Sequence, residues 1–501
     1  MKKAFIILIL GLLFSSCDKF LTPKSQHEFV PEEAESLNEM LLAEGYLMGN
    51  GINDVVSGLQ IGDFMSDDVS TCNLFPVDLN SMGNNIDELV SAYGWNYDDQ
   101  IIKDEQTLGT SWVLLYKKIK GCNAAMDYLN TVSGSESEKQ FIEGQALFLR
   151  SFYFFILVNL YGQPYTYDPQ SLGVPLKLIS SIETEGLKRN TVKEVYDQIV
   201  SDLLKAESYF LSLSSSKQFA KNYTVNLPVI QTLLSRVYLF MEKWDEAAEY
   251  AQKVLTNNQF ELLDLNDITY TYNDWTNYKN QEVIWGWGSP QDYNSTILYS
   301  TLKSGYKGFI VFTPSTELLN LYETDDLRPD FILKDPSTRT HLVCRGKIVA
   351  NYSYRVQVST SIMGHAIRLS EAYLNYAEAC LMKDEKDESQ AIWALETLRE
   401  KKFKKGSNYL IPSTNKSGEA LLQFCKEERR REFCFEGFRW MDLRRWGMPS
   451  FSRIFDVNSG EQFKFTLQKN DPAYTFPIPE NVLEQNLELK QNELPKDHQT
   501  Y

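Results

Sequence analysis

Residues 141–161 read as one helix whose apolar character is nearly continuous, through the run Phe152, Tyr153, Phe154, Phe155, Ile156, Leu157 and Val158. A helix that is apolar all round has no face to give to water, so the core of a large domain has to enclose it. Gly162, Gln163 and Pro164 end it. The chain is long enough to supply that core, with 501 residues of which 43% are hydrophobic and 23% charged.

More helices surround this one. Residues 105–129 place Trp112, Leu115 and Ile119 near helical spacing, and residues 191–211 open on Thr191 with Glu194 three positions later, a capping-box spacing. Residues 228–242 carry Leu233, Leu234, Val237, Tyr238 and Met241 on one face, and Lys243 and Trp244 form a short turn. Residues 245–255 then carry Ala247, Tyr250, Ala251 and Val254, small residues where two helices meet. Residues 368–382 and 389–400 repeat the arrangement. This is the helix-pair pattern of tetratricopeptide repeats. The pairs are separated by long irregular stretches, at 40–100, 258–365 and 448–490. The expected fold is therefore mainly α: a tetratricopeptide-like helix-pair scaffold with long irregular loop insertions and a few short β strands, one of them over 282–287.

Charge and motif content exclude several functions. Lys and Arg number 50 against 67 Asp and Glu, a net charge of -17 with no strongly basic block, which opposes nucleic-acid binding. The four histidines are scattered without an HExxH, and no GxGxxG or GxxxxGK[ST] occurs. No CxxC is present; Cys122, Cys380 and Cys434 fall in helical patterns as small buried hydrophobes, and neither a disulfide, a metal nor a cofactor is expected. Met1, Lys2 and Lys3 precede an apolar stretch over 4–14, then Ser15, Ser16 and Cys17. That is the anatomy of a lipoprotein signal over residues 1–16, with Cys17 acylated as the first mature residue and 17–501 forming one domain.

The C-terminal third carries the most specific string, ERRREFCFEGFRWMDLRRWG over 428–447. With ALFLRSFYF (146–154), LYGQP (160–164), RLSEAYLNYAEA (368–379) and FPIPE (476–480), it resembles the SusD/RagB family of lipid-anchored nutrient-binding proteins of glycan-foraging Gram-negative bacteria. The resemblance implies a SusD-like fold, with ligand-binding insertions near 40–100 and 258–365 and the family's C-terminal part near 366–501. It also implies an outer-membrane location facing the cell exterior and a SusC-like TonB-dependent transporter as partner.

The charges of the 428–447 string nearly balance at i, i+3 and i+4 separations, which reads as an ion-paired helix clamping the repeat scaffold rather than an anion site. Adjacent acids at Asp67 and Asp68, Asp98 and Asp99, and Asp325 and Asp326 read as solvated loop residues, as does the basic run at 401–405. The insertions are rich in aromatics. Trp95, Trp287 and Tyr293, then Tyr97 and Trp285, are the candidate sugar-stacking rings, with Asn96, Asp67 and Asp68 as the polar rim. The competing reading for Trp285 and Trp287 is a shared strand face packed on the helices. Three functions follow. The first is non-catalytic oligosaccharide binding. The second is binding of peptides or other nutrients in the same transporter complex. The third is glycoside hydrolysis, for which no nucleophile, base and orienting group stand out.

Overall fold

The computed structural model of the chain describes residues 30–47, 57–71, 93–97, 110–181, 186–268, 276–288, 312–332, 361, 363–457, 461–496 and 498–500. Cys17, Tyr293 and the acids at 98 and 99 lie outside the described residues. The described elements run α1 (Ala34–Glu44), α2 (Ser57–Met65), β1 (Val69–Thr71), α3 (Thr110–Tyr128), α4 (Glu136–Tyr161), α5 (Val192–Ser212), α6 (Ser215–Gln218), α7 (Leu227–Phe240), α8 (Trp244–Thr256), β2 (Val283–Trp287), β3 (Phe312–Pro314), α9 (Thr316–Leu319), α10 (Arg328–Ile332), β4 (His365–Arg368), α11 (Leu369–Met382), α12 (Glu388–Lys402), α13 (Gly418–Phe433), α14 (Arg439–Arg445), β5 (Phe451–Val457), β6 (Glu461–Leu467), α15 (Glu480–Gln485) and β7 (Gln499–Thr500).

The long apolar helix is α4, and it starts earlier than its apolar run. Ser135 and Glu138 close a reciprocal capping box there, as Thr191 and Glu194 do for α5. By length and hydropathy α4 could cross a bilayer, yet 89% of its apolar window is buried inside the protein. It packs between α3 and α5, and the layer continues through α7, α8, α11 and α12. The helix pairs that are separated in sequence thus stack directly, α8 against α11, with the 257–364 insertion spliced between them. Close approach at the edge of the layer needs a glycine: a Cβ on Gly121 of α3 would sit 2.4 Å from the Glu44 carbonyl oxygen at the end of α1.

Trp244 belongs to α8 rather than to the turn before it, and the turn is carried by Glu242 at φ 58°. The strands form small antiparallel sets: β1 with β3, β2 with β4, and β5, β6 and β7 in that order. Cys122, Cys380, Cys425 and Cys434 are buried thiols. Burial pushes the Cys122 thiol up to about 12, so it stays protonated and inert at neutral pH.

The 428–447 string is not one helix. It breaks between α13 and α14, where Phe435 and Gly437 adopt φ values of 60° and 81°. Its ion pairs are mostly long-range and buried. Arg328 meets Asp326 at 2.6 Å, Glu428 at 2.8 Å and Glu432 at 3.2 Å, with every one of these side chains fully buried. Arg368 joins Glu282 and Glu432, both at 2.7 Å, and Glu436 at 2.8 Å. Glu428 also receives Arg399 at 3.1 Å and Arg431 at 2.8 Å. The clamp is real, but it fastens α13 to α10, α12, β2 and β4 from inside. Two expectations of solvated charge fail here for the same reason. Lys402 of the basic run is fully buried against Glu282 at 2.8 Å, and Asp326 is buried on Arg328.

Candidate ligand-binding region

The stems of the insertions come together. Gly288, where β2 ends, donates its backbone N–H to Leu47 at 2.9 Å, and Gly364 donates to Gly288 at 3.1 Å. Met363 donates to Thr276 and Tyr278 donates to Ser361, both at 3.1 Å. One described end of each of the segments 48–56, 269–275, 289–311 and 333–360 is thus tied to the others by backbone hydrogen bonds, through Leu47, Thr276, Gly288 and Ser361, Met363 and Gly364. A second group of stems meets nearby: β1 pairs with β3 from Val69 opposite Pro314 to Thr71 opposite Phe312, and both Thr71 and Tyr93 donate side-chain hydroxyls to Ile454.

The rings expected to form a sugar platform are the packing of these stems. Trp95 is fully buried. Its indole N–H donates to the Met65 carbonyl at 2.8 Å, its ring edge meets Phe451 with centroids 5.1 Å apart, and the Arg453 guanidinium lies 4.2 Å from its centroid. Its φ of 55° is costly for a bulky residue and is held by this cage. Tyr97 is buried and donates to the Ala473 carbonyl at 2.8 Å. Trp285 donates to the Tyr223 carbonyl and packs edge-on against Phe148 and Phe152 of α4. The sequence expectation for Trp95, Tyr97 and Trp285 as open stacking faces is thus corrected: no face of these rings is left for a ligand.

Trp287 is 5% exposed, stacked on His365 with centroids 4.2 Å apart and edge-on to Phe152. It lines a narrow, partly open cavity of about 40 Å³ with Arg236 and Glu436. That space admits a few waters at most, not a sugar ring. Asn96 is half-buried between two core rings.

Asp67 and Asp68 are corrected as well. Asp67 takes Arg439 in a bidentate pair, both bonds at 2.7 Å, and Asp68 takes Arg430 at 2.6 Å. Burial alone would raise the Asp67 carboxyl, but Arg439 and then Arg430 hold it below the usual carboxylate range. Ser315 reaches both backbones, donating its N–H to the Asp68 carbonyl and its hydroxyl to the Asp67 carbonyl, each at 2.7 Å. These acids lock β1 and β3 to α13 and α14. Sequence reasoning missed the arginines that do the holding, Arg430, Arg439 and Arg453. Arg430 and Arg439 stand in the 428–447 string, but their partners lie 362 and 372 positions away.

A SusD-family profile matches residues 334–495, and a second profile, described as starch-binding and associating with the outer membrane, matches residues 58–239. The chain belongs to the SusD/RagB family. A SusD-like protein of Formosa agariphila is 24% identical over 434 residues, covering 78% of this chain and 81% of the relative. One of Bacteroides ovatus is 22% identical over 407 residues, covering 70% and 68%. Among solved structures, a SusD-like carbohydrate binding protein from Bacteroides vulgatus superposes with a TM-score of 0.67 at 22% identity, covering 94% of this chain and 99% of its own. A SusD superfamily protein from Bacteroides thetaiotaomicron gives 0.64 at 21%, covering 92% and 99%. The SusD-like fold is the stacked helix layer described above, and the profile over 334–495 contains Arg368, Arg399, Glu428, Glu432 and Glu436 of the charge clamp, while Glu282, Asp326 and Arg328 lie before it.

Proposed function

We propose that this chain is a non-catalytic binder of oligosaccharide that delivers its ligand to a SusC-like TonB-dependent transporter in the outer membrane, anchored there by lipid on Cys17 and facing the exterior. The observation that carries the reading is the pair of family profiles, one of them described as starch-binding and associating with the outer membrane. The physical support is the backbone bonding that ties one end of each of four insertions together, the arrangement expected of a binding surface built on loops. The adjacent acids Asp67 and Asp68 are committed to Arg439 and Arg430, which favours binding over catalysis. With Trp95, Tyr97 and Trp285 in the core, the stacking role falls to residues 289–311, including Tyr293.

The test is a glycan array probed in parallel with a peptide library, using the mature chain. Binding to a set of related oligosaccharides supports the reading; binding to peptides alone transfers it to the peptide class. Mild-detergent pull-down from the outer membrane is expected to bring down a barrel protein, and recovery of the chain alone contradicts the transporter partnership. Cys17→Ser is expected to release a folded protein from the membrane fraction, since no other lipid anchor is proposed.

A further inference from the structure

We propose a second small-ligand site, on the helix scaffold and away from the insertion stems, that takes a single neutral saccharide ring. A cleft of about 320 Å³ opens where the turn between α7 and α8 meets the end of α11, the middle of α13 and the end of α14. Its volume falls at the lower end of the range for small-molecule sites, about 300–1,000 Å³. None of its lining residues belongs to the stems that carry the ligand-binding reading above, so it stands independently of that reading.

The floor is closed and charge-balanced. Arg445 pairs bidentately with Glu378 at 2.6 and 2.7 Å, and the Trp446 indole N–H donates to the same carboxylate at 2.9 Å. The walls are different. Trp244, Leu239 and Met382 supply an apolar side. Among the described residues Trp244 has no aromatic neighbour and its indole N–H has no acceptor, although the residue is half-buried. Glu242 and Lys426 stand on the rim, and among the described residues neither has an ion-pair or side-chain hydrogen-bond partner. The Lys426 ammonium lies 5.3 Å from the Trp446 ring centroid, and the Arg445 guanidinium 4.6 Å from the same centroid. Glu242 is placed by a left-handed backbone at φ 58°, a conformation that glycine or asparagine would adopt more readily.

This set selects a ligand class. An anion would meet the Glu242 carboxylate and a cation the Lys426 ammonium. A hydroxyl both donates and accepts, so neighbouring hydroxyls on one ring satisfy an acceptor, an ammonium and an indole donor together. The Trp244 wall asks for a flat apolar face, which the C–H side of a pyranose offers and an amino acid backbone does not.

The experiment titrates the full mature chain, labelled at its tryptophan indole nitrogens, with glucose, galactose, mannose, xylose and, as a zwitterionic probe, glycine. The Trp244 signal is assigned by its loss in Trp244→Phe. At least one sugar is expected to move that signal with roughly millimolar half-saturation. Glu242→Ala and Lys426→Met should each weaken the response by about threefold or more while the unfolding midpoint stays put. The proposal is overturned if no sugar moves the Trp244 signal, if glycine moves it and the sugars do not, or if both rim variants respond as the parent does. It is also overturned if the signal moves only on adding the purified transporter barrel, which would make the cleft a protein contact. Loss of oligosaccharide binding through residues 289–311 leaves these outcomes untouched, so failure at either place is read separately.

Discussion

Two parts of the interior are built from opposite chemistry. Around α4 the core is mostly apolar, with Phe148, Phe152, Phe154, Leu157 and Leu160 all buried, and Arg150 pairs there with Asp202 of α5 at 2.8 Å. Around α13 the core is ionic, and Arg328, Arg368, Arg399, Glu428 and Glu432 are as deeply buried as those phenylalanines. The apolar side tolerates approximate partners, because dispersion and burial have no direction. The ionic side does not: each charge needs its partner in place, so it fixes how the helix layer, β2 and β4 sit against the C-terminal part. The layer that supports the insertions is thus set in register by charge and given its stability by apolar packing.

The comparison breaks most visibly at Glu428, which receives three arginines. Glu428→Ala leaves Arg328, Arg399 and Arg431 short of a counter-charge in the interior and should cost about 4 kcal/mol in urea unfolding. A cost under about 1 kcal/mol would mean that the ionic interior is solvated after all. Next in size, Trp95→Ala removes a fully buried ring and its bond to Met65, and should cost about 3 kcal/mol by the same measurement. An unchanged unfolding curve would return Trp95 to the surface.

Acid separates the two interiors without mutation. Burial would raise the Glu378 carboxyl, but Arg445 and then Arg429 pull it from an ordinary 4.5 down to about 2. A depressed carboxyl contributes its stability above the unfolded value and loses it as the pH falls through the folded value. On the order of 2–3 kcal/mol should therefore fade between about pH 4.5 and pH 2. Unfolding free energies measured across that window should fall less steeply in Glu378→Gln; an equal slope removes Glu378 from the account. The smallest effect sharpens the local side. Thr191→Ala opens the capping box of α5 and should cost about 1 kcal/mol, measured as a shift in urea midpoint.

The same contrast explains what the sequence made legible. The apolar run of α4, the capping boxes at Ser135 and Thr191, and both helix pairs are local patterns, readable within one or two turns. The ionic core is not local. Arg368 and Glu432 are 64 positions apart, Arg328 and Glu432 are 104, and Arg236 and Glu371 are 135. Hence Asp67, Asp68, Asp326 and Lys402 read as solvated charge, although their partners bury them. The tryptophans failed for a related reason. Trp95 lies in an irregular segment with no period to place it, and what hides it is a carbonyl at Met65 and a guanidinium at Arg453. Trp285 and Trp287 alternate on β2, so the sequence allowed either face, and the packing of β2 on Phe148 and Phe152 decided it.

The central claim is that the helix layer supports and the insertions bind. Its most direct test replaces residues 289–311 with a Gly-Ser linker of equal length and measures glycan-array binding and thermal unfolding on the same preparation. Oligosaccharide binding is expected to be lost while the unfolding midpoint moves by no more than about 2 °C. Oligosaccharide binding that survives the replacement, or a collapse of the unfolding midpoint with it, would contradict the division of labour between scaffold and insertion.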